Sequence, residues 1–199
     1  MLQLARMATA LALTGLAAAL PACSKHTASA ASAQASADGP GGPFALVNQD
    51  GKPVDQSVLN GKWSVVFFGY TFCPDFCPTT LTTLGQTMTL LGARAKDVQV
   101  VFVTIDPGRD SPAALKTYLS SRVFPKNIIG LTGTQAQIAQ VAKGYKVYYQ
   151  KEGTGSNYSM DHSTALYLMG PDGQFRTVIA DGLTPQQDAQ QLTDAMRGT

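Results

Sequence analysis

Two long uncharged runs of β-forming residues constrain the fold of this chain more than any other feature. Trp63–Tyr70 has the sequence WSVVFFGY, and Val98–Ile105 has the sequence VQVVFVTI. Such continuous apolar runs are typical of strands that are buried on both faces of a sheet. Between them, apolar residues three and four positions apart predict a helix from Pro78, namely Leu81, Leu84, Met88 and Leu91. These features predict the centre of an α/β domain.

The rest of the chain continues this alternation of strands and helices. Further helices are predicted from the Ser111-Pro112 cap to about Ser121, over Thr134–Lys143 before Gly144, and from the Thr184-Pro185 cap to about Met196. Further strands are predicted at Ile128–Leu131, Val147–Gln150, Ala165–Met169 and Phe175–Ile179, the last two joined as a hairpin across a Gly-Pro-Asp-Gly turn. The predicted fold class is α/β, with a central mixed β-sheet flanked by helices.

The N-terminal segment 1–23 is predicted to be an export signal. Its uncharged run Met7–Leu20 follows Arg6 and gives about 21 Å of helix at ~1.5 Å per residue, which is short for a hydrocarbon core of about 30 Å. The run ends in Leu20-Pro21-Ala22-Cys23, which resembles a bacterial lipobox, so Cys23 is a candidate for lipidation. Ordinary signal cleavage and an uncleaved anchor are the alternatives, and all three export the domain.

Residues 24–43 are predicted to form a flexible linker, and residues 44–199 the folded domain. The linker is rich first in Ala and Ser and then in Gly and Pro, without apolar periodicity. His26 lies in this linker, and we interpret it as a solvated residue. The net charge of +2 provides no field for non-specific nucleic-acid binding, so no nucleic-acid partner is expected.

Two cysteines at a predicted strand–helix junction are the strongest candidates for chemistry. Cys73 and Cys77 follow the strand that ends near Tyr70, and their spacing near the start of the helix predicts that they lie one turn apart on the same face. A helix N-terminus favours the thiolate that both metal binding and thiol exchange require. A static disulfide or two buried thiols are the structural alternatives, although a bridge across so short a loop constrains the unfolded chain little.

His162 is the only histidine of the predicted domain, and it lies just before the predicted strand Ala165–Met169. A single histidine is commonly a structural residue. If this strand lies beside the one that ends near Tyr70, however, the imidazole approaches the two sulfurs. Two thiolates and one imidazole suit Cu(I), and they also permit Cu(II) or Zn(II).

Three motifs resemble those of the Sco/SenC family of copper-handling proteins with a thioredoxin-like fold. They are GYTFCPDFCP at Gly69–Pro78, TIDPGRDSP at Thr104–Pro112 and DHST at Asp161–Thr164, and the resemblance extends over Phe44–Met196. It implies that the copper ligands are Cys73, Cys77 and His162. It also implies membrane-tethered delivery of copper to the binuclear site of cytochrome c oxidase subunit II, or reduction of that site's cysteines. The N-terminal segment departs from family members that keep a transmembrane helix, and it predicts a lipid or signal anchor at the periplasmic side of a bacterial membrane. Another periplasmic copper chaperone and a thiol reductant are further expected partners.

Other members of the motifs are expected to have supporting roles. Asp75 lies between the thiols and is interpreted as an exposed loop residue, although it could tune their charge. Asp106 and Asp110 are expected to make turn and cap hydrogen bonds, with Arg109 as an ion-pair partner. Met160 is expected to pack beneath the site rather than to bind metal.

These residues are compatible with three functions. A copper chaperone is a binding and transfer protein rather than an enzyme, and it needs three ligands with an open edge. A thiol–disulfide oxidoreductase would use the same two sulfurs to reduce a partner's cysteines. The CxxxC spacing and the absence of proline at Asp161-His162-Ser163 depart from the usual reductase pattern and favour metal. A peroxidase of the same fold is a third possibility that no residue specifically supports.

Overall fold

A computed structural model describes residues 39–198. Within this range a seven-stranded mixed sheet has the order β2-β1-β5-β4-β3-β8-β9, and β6 and β7 form a separate two-stranded sheet. The strands are β1 Ala45–Asn48, β2 Pro53–Asp55, β3 Trp63–Gly69, β4 Val98–Thr104, β5 Ile128–Thr132, β6 Tyr149–Glu152, β7 Ser159–His162, β8 Leu166–Met169 and β9 Phe175–Ile179. The helices are α1 Phe76–Leu91, α2 Pro112–Leu119, α3 Gln135–Gly144 and α4 Pro185–Arg197. The predicted α/β class is confirmed.

The two apolar runs form the parallel central pair, β3 and β4, and every residue of both strands is buried. Their side chains alternate between two cores because successive residues of a strand point to opposite faces. Val65 and Phe67 pack with α1, α2 and α4 on one face, whereas Val66 and Phe68 pack with α3 on the other. Because both faces of these strands are buried, their sequences do not alternate between apolar and polar residues.

Strand β8 lies antiparallel to β3, with Phe67 opposite Leu166. The sequence-based condition for bringing His162 toward the thiols is therefore met, since β8 begins beside the carboxyl end of β3. The hairpin of β8 and β9 is also confirmed.

The predicted helix caps agree with the structure at Ser111 and Thr184, whose side chains each accept a hydrogen bond from a backbone amide in the first turn. Thr134, predicted as the first residue of a helix, caps that helix in the same way. Four boundaries differ from prediction by two residues, including the end of β6, which lies at Glu152 rather than Gln150. Helix α1 begins at Phe76 rather than Pro78, β6 begins at Tyr149 rather than Val147, and α2 ends at Leu119. Strands β1, β2 and β7 were not predicted, because they have only three or four residues each and are at most partly buried, apart from Leu46.

The predicted signal, with Cys23, and most of the predicted linker lie outside the described residues. Among residues 39–198, the helices are too short or too polar to cross a bilayer.

Candidate metal centre

The two cysteines lie where β3 gives way to α1, at the carboxyl end of the central strands. Cys77 is in the first turn of α1 and is fully buried, whereas Cys73 lies in the preceding loop and is partly buried. The expectation that both thiols occupy one helix face is wrong for Cys73. The Cys77 amide donates to the Cys73 Sγ at 3.3 Å, so this sulfur satisfies one of the unpaired amides at the start of the helix. Both cysteines are free thiols.

His162 enters the site from the β6–β7 hairpin, where it pairs with Tyr149. One ligand atom each from Cys73, Cys77 and His162 lie within 4.8 Å of one another. The His162 Nδ1 lies 2.8 Å from the Ser163 carbonyl oxygen. Because a carbonyl oxygen only accepts, Nδ1 carries the proton of the neutral ring and Nε2 has the free lone pair.

Aromatic rings surround the imidazole. Tyr70 and Phe76 meet it edge-on, with ring centroids 6.0 and 6.3 Å from that of His162. Phe72 is 61% exposed and lies in the same loop as Cys73. The site is therefore enclosed on the inner side and accessible on the outer side, next to an exposed aromatic ring.

The two thiols have opposite electrostatic environments. The pKa of Cys73 is lowered to about 5, chiefly because the Cys77 thiol donates a hydrogen bond to its sulfur, with further help from the Cys77 and Asp75 amides and from His162. The same hydrogen bond, together with burial, raises the pKa of Cys77. Without metal, the pair is therefore one thiolate and one thiol, and a metal ion bound to both sulfurs displaces the second proton.

The loop after β4 fixes the loop that carries Cys73. The buried Asp110 carboxylate accepts from the Thr71 amide at 3.0 Å, from the Thr71 hydroxyl at 2.5 Å and from the Thr104 hydroxyl at 2.6 Å. Burial raises the Asp110 pKa, and these hydrogen bonds oppose the shift. Asp110 therefore makes hydrogen bonds that join two loops, whereas the residue that caps α2 is Ser111.

Arg109 connects the same loop to the hairpin that carries His162. Its Nε pairs with the Asp106 carboxylate, and its Nη1 donates to the Tyr158 carbonyl oxygen at 3.0 Å. The guanidinium lies 3.6 Å from the centroid of the Tyr158 ring, and the Tyr158 hydroxyl donates to Asp106 at 2.7 Å. The expected ion pair is confirmed. The roles of Thr71 and Tyr158 were missed, since no local pattern marks either residue.

The other two motif residues behave as expected. Asp75 is exposed at the start of α1 and makes no capping hydrogen bond with its side chain. Met160 is partly buried and packs against the core cluster that contains Tyr70.

The donor set fits a soft metal ion. Bonds of about 2.0–2.3 Å from sulfur and nitrogen to one ion place the donor atoms roughly 3.5–4 Å apart, so small inward shifts close this site around an ion. Within residues 39–198 this is the one group of three or more Cys, His, Asp or Glu side chains placed to hold a metal. The same two sulfurs are also close enough for thiol–disulfide chemistry.

Comparison with known proteins agrees with this geometry. The SCO1/SenC family model matches residues 32–197. The SCO1 homolog 1 of Arabidopsis thaliana, a mitochondrial protein, is 42% identical over 137 residues, which cover 68% of this chain and 40% of that protein. A bovine mitochondrial SCO2 homolog is 38% identical over 160 residues, 78% of this chain and 58% of that protein. The chain thus spans about half the length of these relatives.

Solved structures show the same similarity. Copper-bound ScoI of Bradyrhizobium japonicum has a TM-score of 0.72 and 42% identity, covering 78% of this chain and 98% of that one. BsSco, described as a cytochrome c oxidase assembly protein with a disulfide switch, has a TM-score of 0.63 and 28% identity, covering 78% and 92%. The predicted thioredoxin-like fold is therefore confirmed.

Proposed function

The chain belongs to the SCO1/SenC family, and from this premise we propose that it binds one copper ion through Cys73, Cys77 and His162 and delivers it to the binuclear copper site of cytochrome c oxidase subunit II. Copper is the cargo of this reaction. The observation that carries the proposal is the approach of three soft donor atoms to within 4.8 Å of one another. The copper found in the similar ScoI structure supports the choice of metal.

The different exposures of the ligands suit transfer. Cys77 holds the ion from the buried side, whereas Cys73 and His162 are partly exposed. One acceptor ligand can therefore replace His162 and a second can replace Cys73 while Cys77 still holds the ion, and a third exchange then releases Cys77. Each step exchanges one ligand for another, and the copper keeps its oxidation state.

The export signal and linker place this chemistry at a membrane surface in the proposal. Lipidated Cys23, or an uncleaved signal, would anchor the chain on the periplasmic side of a bacterial membrane. A flexible chain of about 20 residues, the length of the predicted linker 24–43, has an r.m.s. reach of roughly 25 Å, and such a reach would let the domain approach a membrane-bound oxidase.

Thiol–disulfide exchange is a second candidate, favoured by the thiolate and thiol states of the pair. The Cys73 thiolate would attack a partner disulfide and release one partner thiolate. Cys77, after losing its proton, would then attack Cys73 and release the other. The chain becomes oxidised by two electrons, and the partner is reduced by two. The disulfide switch described for BsSco supports this chemistry.

A Cu(I) titration of the reduced full chain tests the copper proposal. Wild type, His162→Ala and His26→Ala are titrated anaerobically against a competing chelator, with His26→Ala as the matched control because this histidine lies in the predicted linker. We expect one tight equivalent for wild type and His26→Ala, and binding weakened about tenfold or more for His162→Ala. Equal binding by all three proteins refutes the three-ligand site.

Delivery is tested with the reduced, metal-free copper domain of subunit II. The loaded chain should transfer copper to this acceptor, and the His162→Ala chain should not sustain the transfer. If the loaded wild-type chain does not transfer copper but the reduced, metal-free chain reduces the oxidised acceptor, the oxidoreductase candidate replaces the chaperone.

A further inference from the structure

A small cavity opens next to the metal centre, between α1, α4 and the loop before α4. Its volume is about 200 Å³, and its lining includes Phe76, Thr80, Leu166, Leu183, Asp181 and Asp188. Phe76 is shared with the metal centre, because its ring also meets His162. An occupant of the cavity therefore lies one side chain away from the copper ligands.

Asp188 is a buried carboxyl group that pairs with no cationic side chain in the described part of the chain. Its residue is 3% exposed, and its Oδ1 has no hydrogen-bond partner. The ion pairs among residues 39–198 involve Asp50, Asp106, Asp172 and Asp194, and none includes Asp188 or Asp181. Burial raises the Asp188 pKa to about 6, so at neutral pH the group is mostly a carboxylate without a compensating charge. A hydrogen bond with Thr87 lowers this pKa and opposes the effect of burial, so the unsatisfied part of the group is Oδ1. A buried carboxylate oxygen without a donor costs free energy that a partner's donor would recover.

The chemistry of the cavity fits an ammonium or guanidinium group at the end of an apolar stem. Asp188 offers an unused acceptor inside, and the exposed Asp181 adds a second negative charge near it. Phe76, Leu166 and Leu183 give an apolar wall suited to methylene groups. A hard metal ion fits less well, because such ions require about six oxygen ligands.

We propose that this cavity receives a lysine or arginine side chain of the protein that docks at the metal centre. The identity of that protein rests on the proposed function, whereas the preference of the cavity for a cation does not. The docked side chain pairs with Asp188 and covers the Phe76 edge of the site, which aligns the acceptor's ligands with the outer side of the cluster. The cavity thus selects partners by charge.

A titration with n-butylguanidinium tests the cavity without copper. The ¹⁵N-labelled full chain is titrated at pH 7.5 and constant ionic strength, beside Asp188→Asn, Asp181→Asn and the matched control Asp194→Asn, which alters an exposed carboxylate on the same helix. We expect saturable amide shifts around Thr80 and Asp188, with a dissociation constant on the order of millimolar. Asp188→Asn should weaken binding at least fivefold, Asp181→Asn less, and Asp194→Asn not at all.

Neutral 1-butanol is the control for the apolar stem and should cause no saturable shift at these amides. Equal binding of both probes, or undiminished binding by Asp188→Asn, overturns the proposal. Since Asp181 is exposed, Asp181→Asn keeps the test valid even if Asp188→Asn disturbs folding.

The partner is tested separately with the copper domain of subunit II. Asp188→Asn and Asp181→Asn should each lower its affinity about threefold or more, and n-butylguanidinium should compete with the domain. If the probe binds but the domain's affinity is unchanged by both substitutions, the docking role is overturned while the copper site stands. If copper fails to bind but the probe binds, the proposed function fails while the cation site stands.

Discussion

The hydrogen bond between the two thiols leads to a prediction about Cys73 reactivity. The Cys77 thiol is the largest cause of the low Cys73 pKa, ahead of the backbone amides and His162. Cys77→Ala removes this donor but keeps the backbone amide that also reaches the Cys73 sulfur. Cys77→Ser is the matched control, because a serine hydroxyl can donate from the same position. We expect the Cys73 pKa to rise by roughly one to two units in Cys77→Ala and to stay low in Cys77→Ser.

The size of the effect on rate follows from the pKa. At pH 6, a thiol with a pKa of about 5 is about 90% thiolate, whereas one with an ordinary value of 9.0 is about 0.1% thiolate. A thiolate of lower pKa is also a weaker nucleophile, by about 40- to 100-fold for four units at a Brønsted coefficient of 0.4–0.5. The net expectation is that Cys73 reacts about tenfold faster at pH 6 than an ordinary thiol.

Alkylation with iodoacetamide between pH 4 and 9, with mass spectrometry to assign the modified cysteine, measures this profile. Wild type should react at Cys73 with a midpoint near pH 5, and Cys77 should be protected in the folded chain. The titration of thiolate absorbance at 240 nm gives the same midpoint independently. A wild-type midpoint above pH 8, or equal midpoints for Cys77→Ala and Cys77→Ser, would refute the reasoning.

Three further predictions concern residues around the site. Asp110→Ala should lower the free energy of unfolding by about 2–3 kcal/mol in chemical denaturation, because the Thr71 amide loses a buried acceptor. Asp110→Asn keeps an oxygen at this place and should lower the free energy of unfolding less, so equal losses for the two variants would contradict this account. Gly69→Ala should weaken Cu(I) binding at least tenfold in a chelator competition and lower the free energy of unfolding by about 1–3 kcal/mol, because the new Cβ would lie 2.8 Å from the Cys77 sulfur. Unchanged affinity would show that the site tolerates the methyl group. Burial raises the Asp188 pKa from the ordinary value of 3.8 to about 6. The protonated carboxyl group therefore contributes to the free energy of unfolding below the ordinary pKa, and this contribution is lost as the pH rises through about 6. Asp188→Asn should therefore raise the melting temperature at pH 7 by about 2–4 °C, which corresponds to about 1 kcal/mol after allowance for solvent screening. At pH 4 the melting temperature should not change, and a lower melting temperature at pH 7 would contradict this prediction.

Local sequence patterns were sufficient for the central strands and most helix boundaries. β3 and β4 are continuous apolar runs because both faces of the strands are covered, and the caps at Thr134 and Thr184 depend on residues within one helical turn. Strand β7 was not predicted, because its residues, SMDH, bury little apolar surface and the strand pairs only with β6. Such a strand is held by its neighbours rather than by its own pattern.

The sequence by itself determined which groups can do chemistry here: two thiols at a strand–helix junction, one histidine in the domain, and the acidic loop after β4. Only the tertiary structure decided that these groups meet. The pairing of β3 with β8 brings His162 to the sulfurs, and the contact of Thr71 with Asp110 holds the Cys73 loop in place. The packing of α4 against α1 likewise creates the cavity at Asp188. Hydrophobic periodicity reports which face of an element is buried, but strand order and helix packing decide which residues far apart in the chain become neighbours.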